Sequence, residues 1–176
     1  METTEKIVEA YVRYVKGWFT LPNIKCDGQM EIDLLAIDAT DSKNLHRYHI
    51  ESGISISGSY SKLTNKPYSS EELKVRVKQA GQRRTLGYFT ERKFSDPNVI
   101  KKLIEYGFEP GNYKKVIVTW GWEDDVPEAA LQAGVELWDF QEKLREIAHN
   151  VIEHRMYFTD DTMRTLQLMA KAMERE

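Results

Sequence analysis

The stretch that decides the fold is Tyr48–Ser57, YHIESGISIS, because its side chains alternate as they do in a β-strand. One face of that strand is mainly apolar and carries Ile50, Ser52, Ile54 and Ile56. The other face carries His49, Glu51, Gly53 and Ser55. Burying an unpaired carboxylate costs roughly several kcal/mol, so we expect Glu51 to have a partner, a proton or a metal ion.

A second strand, Glu31–Asp38 with the sequence EIDLLAID, precedes this one across a polar turn and places Asp33 in mid-strand. Where two such strands form a hairpin, Asp33 and Glu51 lie on one face within a few ångströms of each other. The two carboxylates repel each other, and a hard divalent cation with oxygen ligands removes that repulsion. The hairpin therefore predicts a Mg²⁺ or Mn²⁺ site held by Asp33 and Glu51, with the carbonyl oxygen of Ser52 as a further ligand.

Length and composition predict one ordinary globular domain, with 176 residues, 41% hydrophobic and 30% charged. The single cysteine, Cys26, excludes an internal disulfide and a multi-cysteine zinc site, which favours a cytoplasmic location. No apolar run is long enough to cross a bilayer, and the charged N-terminus is unlike a signal peptide, so we expect no membrane contact. The net charge of −3 means that any nucleic-acid contact comes from a local basic patch.

The remaining patterns predict an α/β fold with a mixed sheet of about four strands flanked by helices. A first helix runs from Thr3 to about Gly17, and a loop over 21–30 leads into the hairpin. A basic helix over 70–91 and a short helix over 96–108 precede the strands YKKVIVTWGW and VELWDF. We expect residues 1–144 to form the core and residues 145–176 to form a C-terminal helical extension packed on it.

This order of elements resembles the PD-(D/E)xK nucleases, which have the restriction-endonuclease-like fold, from Glu5 to about residue 144. The resemblance rests on a first helix with Glu9, a strand with Asp33, a strand with Glu51 and a following helix that contains VKQAGQ. It implies that Asp33 and Glu51 bind the metal and that Glu9 is an auxiliary acid. In the family pattern, a lysine two positions after the second acid assists the nucleophilic water, and here that position is Gly53.

Two interpretations of Gly53 remain open at this point. In the first, the lysine has moved to a neighbouring element, and the basic helix offers Lys74 and Lys78. In the second, the site has lost its catalytic function, and the scaffold binds nucleic acid or a protein without cleaving anything.

The segment 74–93 holds seven basic residues and one acidic residue, Glu91. Such an excess suits phosphate contacts with DNA or RNA, although a solvated helix face gives the same pattern. The predicted nucleic-acid-binding residues are Lys62, Lys66, Arg76, Arg83 and Arg84.

The sequence thus predicts a Mg²⁺- or Mn²⁺-dependent nuclease that hydrolyses phosphodiester bonds of DNA or RNA, with Lys74 or Lys78 supplying the missing positive charge. One alternative is a catalytically inactive nucleic-acid-binding module on the same fold. Another is an assembly subunit whose C-terminal helices form a homodimer or hold a protein partner.

Overall fold

A computed structural model describes residues 2–56, 61–153 and 157–174 of the chain. The strand predicted around Tyr48–Ser57 is present, but it ends at Gly53. Residues 54–56 continue as irregular chain, and Ser57 lies outside the described residues.

A single mixed sheet of five strands, in the order β1-β2-β3-β4-β5, forms the centre of the molecule. The strands are β1 (Phe19–Lys25), β2 (Glu31–Asp38), β3 (His46–Gly53), β4 (Tyr113–Thr119) and β5 (Val135–Asp139). The pairs β1–β2 and β2–β3 are antiparallel, whereas the pairs β3–β4 and β4–β5 are parallel. The predicted hairpin of β2 and β3 and the mixed α/β architecture are therefore confirmed.

The fifth strand, β1, corrects the prediction of about four strands and of a loop over 21–30. Pro22 and the turn residues that follow it disguise this strand in the sequence, but proline is tolerated on an edge strand because its missing N–H is not needed there. Asn23, next to Pro22, has a φ of 56°, which interrupts the regular strand geometry. Only pairing with β2 makes this segment a strand.

The described ranges contain seven α-helices. They are α1 (Thr3–Ala10), α2 (Ser70–Leu73), α3 (Arg76–Gln82), α4 (Pro97–Glu105), α5 (Val126–Gln132), α6 (Phe140–Glu153) and α7 (Asp161–Met173). Two π-helical segments, Tyr11–Val15 and Tyr88–Lys93, and a 3-10 helix, Asp27–Gln29, are also present. Helices α1, α6 and α7 cover one face of the sheet, and α4, α5 and the second π-helical segment cover the other.

The basic helix predicted over 70–91 is interrupted, and the interruption positions the candidate site. The Thr64 N–H donates to the Arg84 carbonyl, and the Leu86 N–H donates to the Thr64 carbonyl, both at 2.8 Å. These bonds to a distant loop residue, Thr64, take Arg84 and Thr85 out of the helical pattern. The chain becomes helical again at Leu86 and continues into the π-helical segment Tyr88–Lys93, whose last residue is Lys93.

The predicted boundary between residues 144 and 145 lies inside α6, which runs through it without a break. Ile147 on α6 and Met163 on α7 are buried in the same core as Ile50 of β3. Residues 154–156 and 175–176 of the predicted extension lie outside the described residues. No helix in the described ranges is long and apolar enough to cross a membrane.

Candidate functional site

The β2–β3 hairpin brings Asp33 and Glu51 together. Leu34 pairs with Ile50, and continuing that antiparallel register places Asp33 opposite Glu51. The Ser52 N–H donates a hydrogen bond of 2.8 Å to Asp33 Oδ2, and this bond fixes the orientation of the Asp33 carboxylate. Asp33 is 8% exposed and Glu51 is fully buried, so both charges are largely removed from water.

Lys93 supplies the positive charge between these two carboxylates. Its Nζ lies 3.1 Å from Asp33 Oδ1 and 2.5 Å from Glu51 Oε2. The same ammonium donates to the Glu31 carbonyl at 2.9 Å, and its side chain is only 13% exposed. Two acids and a lysine thus meet in space, although the lysine is 42 positions from Glu51 in the sequence and is neither Lys74 nor Lys78.

His49 holds the second oxygen of Glu51. Its Nε2 lies 2.7 Å from Glu51 Oε1, and its ring packs edge-on against Phe94. Burial, followed by the nearby positive charge of Lys93, lowers the pKa of His49 to about 3, so the ring is neutral. When Glu51 is ionised its oxygen only accepts, and the proton of the neutral ring is then on Nε2; Nδ1 has no partner among the described residues. His49 thus positions Glu51 without adding charge.

Burial sets the electrostatics of the cluster. It raises the pKa of Asp33 to about 7, with a further increase from the Glu51 charge. Burial likewise raises the pKa of Glu51 to about 7, against the lowering effect of Lys93. Burial acts to lower the pKa of Lys93, but the two carboxylates outweigh it and raise that pKa. Two carboxylates with one ammonium retain excess negative charge, which attracts a proton or a further cation.

The donor atoms of this cluster fit a magnesium-type ion. Mg²⁺ commonly binds one or two protein carboxylates and keeps several waters, and Asp33 and Glu51 provide that set. The described ranges hold no group of three or more His, Cys, Asp or Glu side chains that could hold a metal ion. The contact shown for Ser52 is its N–H to Asp33; the predicted role of its carbonyl oxygen as a ligand stays a prediction.

A pocket of about 220 Å³ opens onto the cluster between α1 and the second π-helical segment. Its lining includes Asp33, Lys93, Arg83, Arg84 and, from α1, Glu5. Burial, with smaller contributions from the charges of Asp33 and Glu2, raises the pKa of Glu5, although the Glu2 backbone N–H opposes the shift. The acid that α1 brings to the pocket is therefore Glu5.

Glu9, the predicted auxiliary acid, lies one turn further along α1. It accepts a hydrogen bond from the Thr20 hydroxyl at 3.2 Å and borders a separate pocket shared with Arg13 and Asp160. Nothing in the sequence separates Glu5 from Glu9, because residues four apart share a helix face. The distinction depends on which end of α1 meets the sheet edge.

Neither Lys74 nor Lys78, the predicted replacement lysines, contacts Asp33 or Glu51 among the described residues. Lys78 pairs with Glu72 at 2.6 Å, and Lys74 is exposed in a cleft that Lys93 also borders. Lys93 was visible in the sequence only as part of the basic segment. It lies beyond the helix that periodicity predicts, and no local pattern indicates a π-helical turn there.

The five predicted nucleic-acid-binding residues lie in different places. Arg83 and Arg84 line the pocket at the acidic cluster. Lys62, Lys66 and again Arg84 line a neighbouring groove of about 330 Å³. Arg76 is exposed on α3 and lines neither cavity within the described part of the chain.

Comparison of this chain with protein-family models, with curated proteins and with solved structures finds no match. Fold alone does not specify function, and the site carries the functional argument. At this site a buried pair of acids, a lysine between them and a basic rim lie together.

Proposed function

We propose that this protein is a metal-dependent nuclease that hydrolyses phosphodiester bonds of DNA or RNA at the cluster of Asp33, Glu51 and Lys93. The observation that carries the proposal is the contact of the Lys93 ammonium with both carboxylates. The order of a helix, an antiparallel hairpin with both acids and later parallel strands supports a restriction-endonuclease-like fold.

In this proposal Asp33 and Glu51 hold Mg²⁺ or Mn²⁺. When bound, that ion polarises the phosphodiester and lowers the pKa of a water molecule. His49 keeps Glu51 in one orientation through its 2.7 Å contact, so the carboxylate needs no reorganisation. The Lys93 ammonium stabilises the negative charge that develops on the phosphate, and Arg83 and Arg84 attract the substrate to the pocket.

The proposal is tested by a cleavage assay on plasmid DNA and on labelled single-stranded DNA and RNA, with Mg²⁺, Mn²⁺ or EDTA. We expect cleavage that requires the metal and falls at least 100-fold in Asp33→Asn, Glu51→Gln and Lys93→Met, because each change removes a charge from the cluster. Calorimetric titration of Mn²⁺ should show weaker binding to the first two variants.

Lys101→Met is the matched control, since Lys101 is exposed and pairs with Asp27 away from the cluster. Lys78→Met tests whether Lys78, rather than Lys93, is the lysine that acts at the cluster. We expect this variant to keep most of the cleavage activity. A folded wild-type protein that neither binds Mn²⁺ nor cleaves any of these substrates would contradict the proposal.

The catalytically inactive nucleic-acid-binding module is a second candidate, and one observation favours it. Lys93 already neutralises part of the acidic charge, so the fold is held together at this point without a metal. That candidate predicts nucleic-acid binding that weakens steeply with salt and is unchanged by EDTA. Binding with these properties in a protein that does not cleave would support it over the nuclease.

A further inference from the structure

Arg84 lies between two cavities. It lines the pocket at Asp33 and Lys93, and it also lines the groove that contains Lys62 and Lys66. Its guanidinium is half-buried and donates to the Ile54 carbonyl at 3.2 Å. In the described ranges no carboxylate lies within ion-pair distance of it, so most of its N–H donors are available to an anion.

Four basic residues line the groove next to Arg84, namely Lys62, Lys66, Lys78 and Arg84 itself. Lys62 and Lys66 are exposed there, and neither pairs with a carboxylate among the described residues. The one acid of the groove, Glu72, is neutralised by Lys78 and also accepts from the Gln82 amide at 2.8 Å. The available charge of the groove is therefore positive.

We propose that one nucleic-acid strand runs from the acidic cluster across Arg84 into the groove of Lys62 and Lys66, with its phosphates on these three cations. The inference rests on the proposed function in taking a polynucleotide as the ligand, and it assigns the path of the strand beyond the cleaved bond. Arg84 anchors the phosphate next to the cluster, because its position is fixed by Ile54 and by close packing at Gly53.

This path requires a polymer. A free phosphate or a dinucleotide occupies one cavity, whereas a longer strand contacts both and gains the counterion release of each lysine. Affinity should therefore increase with strand length until the groove is filled. The contacts are to phosphate, so they position the strand and do not select its sequence.

The test measures fluorescence anisotropy of a labelled 20-nucleotide single strand and a 20-base-pair duplex in EDTA, at several salt concentrations. We compare wild type with the double variant Lys62→Ala/Lys66→Ala and with Arg84→Met. The double variant should bind at least tenfold more weakly at low salt. Its slope of log K against log salt should become shallower by about 0.9 per lysine on duplex and about 0.7 on a single strand.

The matched control is Arg145→Ala/Lys171→Ala, which removes two exposed positive charges from α6 and α7 on the opposite face of the sheet. We expect its affinity to stay within twofold of wild type. In competition assays, an unlabelled 12-mer should displace the probe at concentrations where inorganic phosphate and a dinucleotide do not.

Unchanged affinity of the Lys62/Lys66 variant, or equal competition by the dinucleotide and the 12-mer, would overturn the proposed path. Because EDTA is present throughout, this outcome is separate from the failure of cleavage. If the binding results support the path but the protein does not cleave, the non-catalytic module is favoured. If the protein cleaves but the Lys62/Lys66 variant binds like wild type, the strand leaves the cluster in another direction.

Discussion

At the scale of single residues, the absence of a side chain at Gly53 explains how Lys93 reaches Asp33 and Glu51. A Cβ at position 53 would lie 2.5 Å from Phe89 Cζ and 3.2 Å from an Arg84 guanidinium nitrogen. Gly53 is required for space, because its φ is not in the left-handed region. The missing side chain lets the second π-helical segment pack directly on β3, and that close packing brings Lys93 to the two acids.

We expect Gly53→Ala to lower the free energy of unfolding by about 1–3 kcal/mol, because Phe89 has to move to accommodate the new methyl group. Urea denaturation measures the change. Gly121→Ala is the control, since a Cβ there meets nothing within 4 Å, and it should be close to neutral. Phe89→Leu added to Gly53→Ala should recover part of the loss; no recovery would contradict the packing explanation.

At the scale of elements, α4 secures the segment that carries Lys93. Asp96 caps this helix only three residues after Lys93, accepting the Asn98 N–H at 2.9 Å, and Pro97 occupies the first turn. Val99 and Leu103 of α4 are buried against β2. The direction of Lys93 is thus constrained from both sides, by the Thr64 pairing before it and by α4 after it.

We expect Asp96→Ala to cost about 0.5–2 kcal/mol of stability, because the N-terminal N–H of α4 loses its acceptor. Asp96→Ser keeps a capping oxygen and should retain most of the stability in thermal or urea unfolding. Asp125→Ala at the start of α5 is a matched control, since the Asp125 side chain makes no capping hydrogen bond. Equal losses for Asp96→Ala and Asp125→Ala would argue against a specific cap.

At the scale of the whole molecule, the chain keeps negative charge inside and positive charge at the rim of the same pocket. Its net charge is only −3, so neither effect is visible in the total. The pKa of Asp33 is raised from an ordinary 3.8 to about 7, which means that the folded state holds a proton that the unfolded state has released. Stability contributed by protonated Asp33 is present below pH 4 and is lost as pH rises through about 7.

We therefore expect Asp33→Asn to be more stable than wild type at pH 8, by about 1–3 kcal/mol, and to lose that advantage near pH 4. Asparagine removes the cost of burying the Asp33 charge and the smaller repulsion with Glu51, and it still offers an oxygen to the Ser52 N–H. Urea unfolding between pH 4 and pH 8 measures the difference. The exposed Asp124→Asn should show no such pH trend, and an Asp33→Asn variant that is less stable than wild type at pH 8 would refute the argument.

The sequence by itself determined the hairpin and the meeting of Asp33 with Glu51. Both depend on local rules: alternation at period two, and a short polar turn that fixes the register of adjacent strands. The sequence also predicted the mixed sheet in outline, because the segment of β4 is rich in apolar and β-branched residues, which favour strands.

Only the tertiary structure decided that the Lys93 ammonium lies between Asp33 and Glu51. It likewise decided that Glu5, and not Glu9, is the glutamate of α1 that lines the pocket. The Lys93–Asp33 contact spans 60 positions, and it exists because Thr64 breaks the basic helix by backbone pairing. Strand β1 likewise forms only against β2, with Pro22 on the sheet edge. These features depend on long-range packing and hydrogen bonding, whose energies exceed local propensity and leave no periodic signal in the sequence.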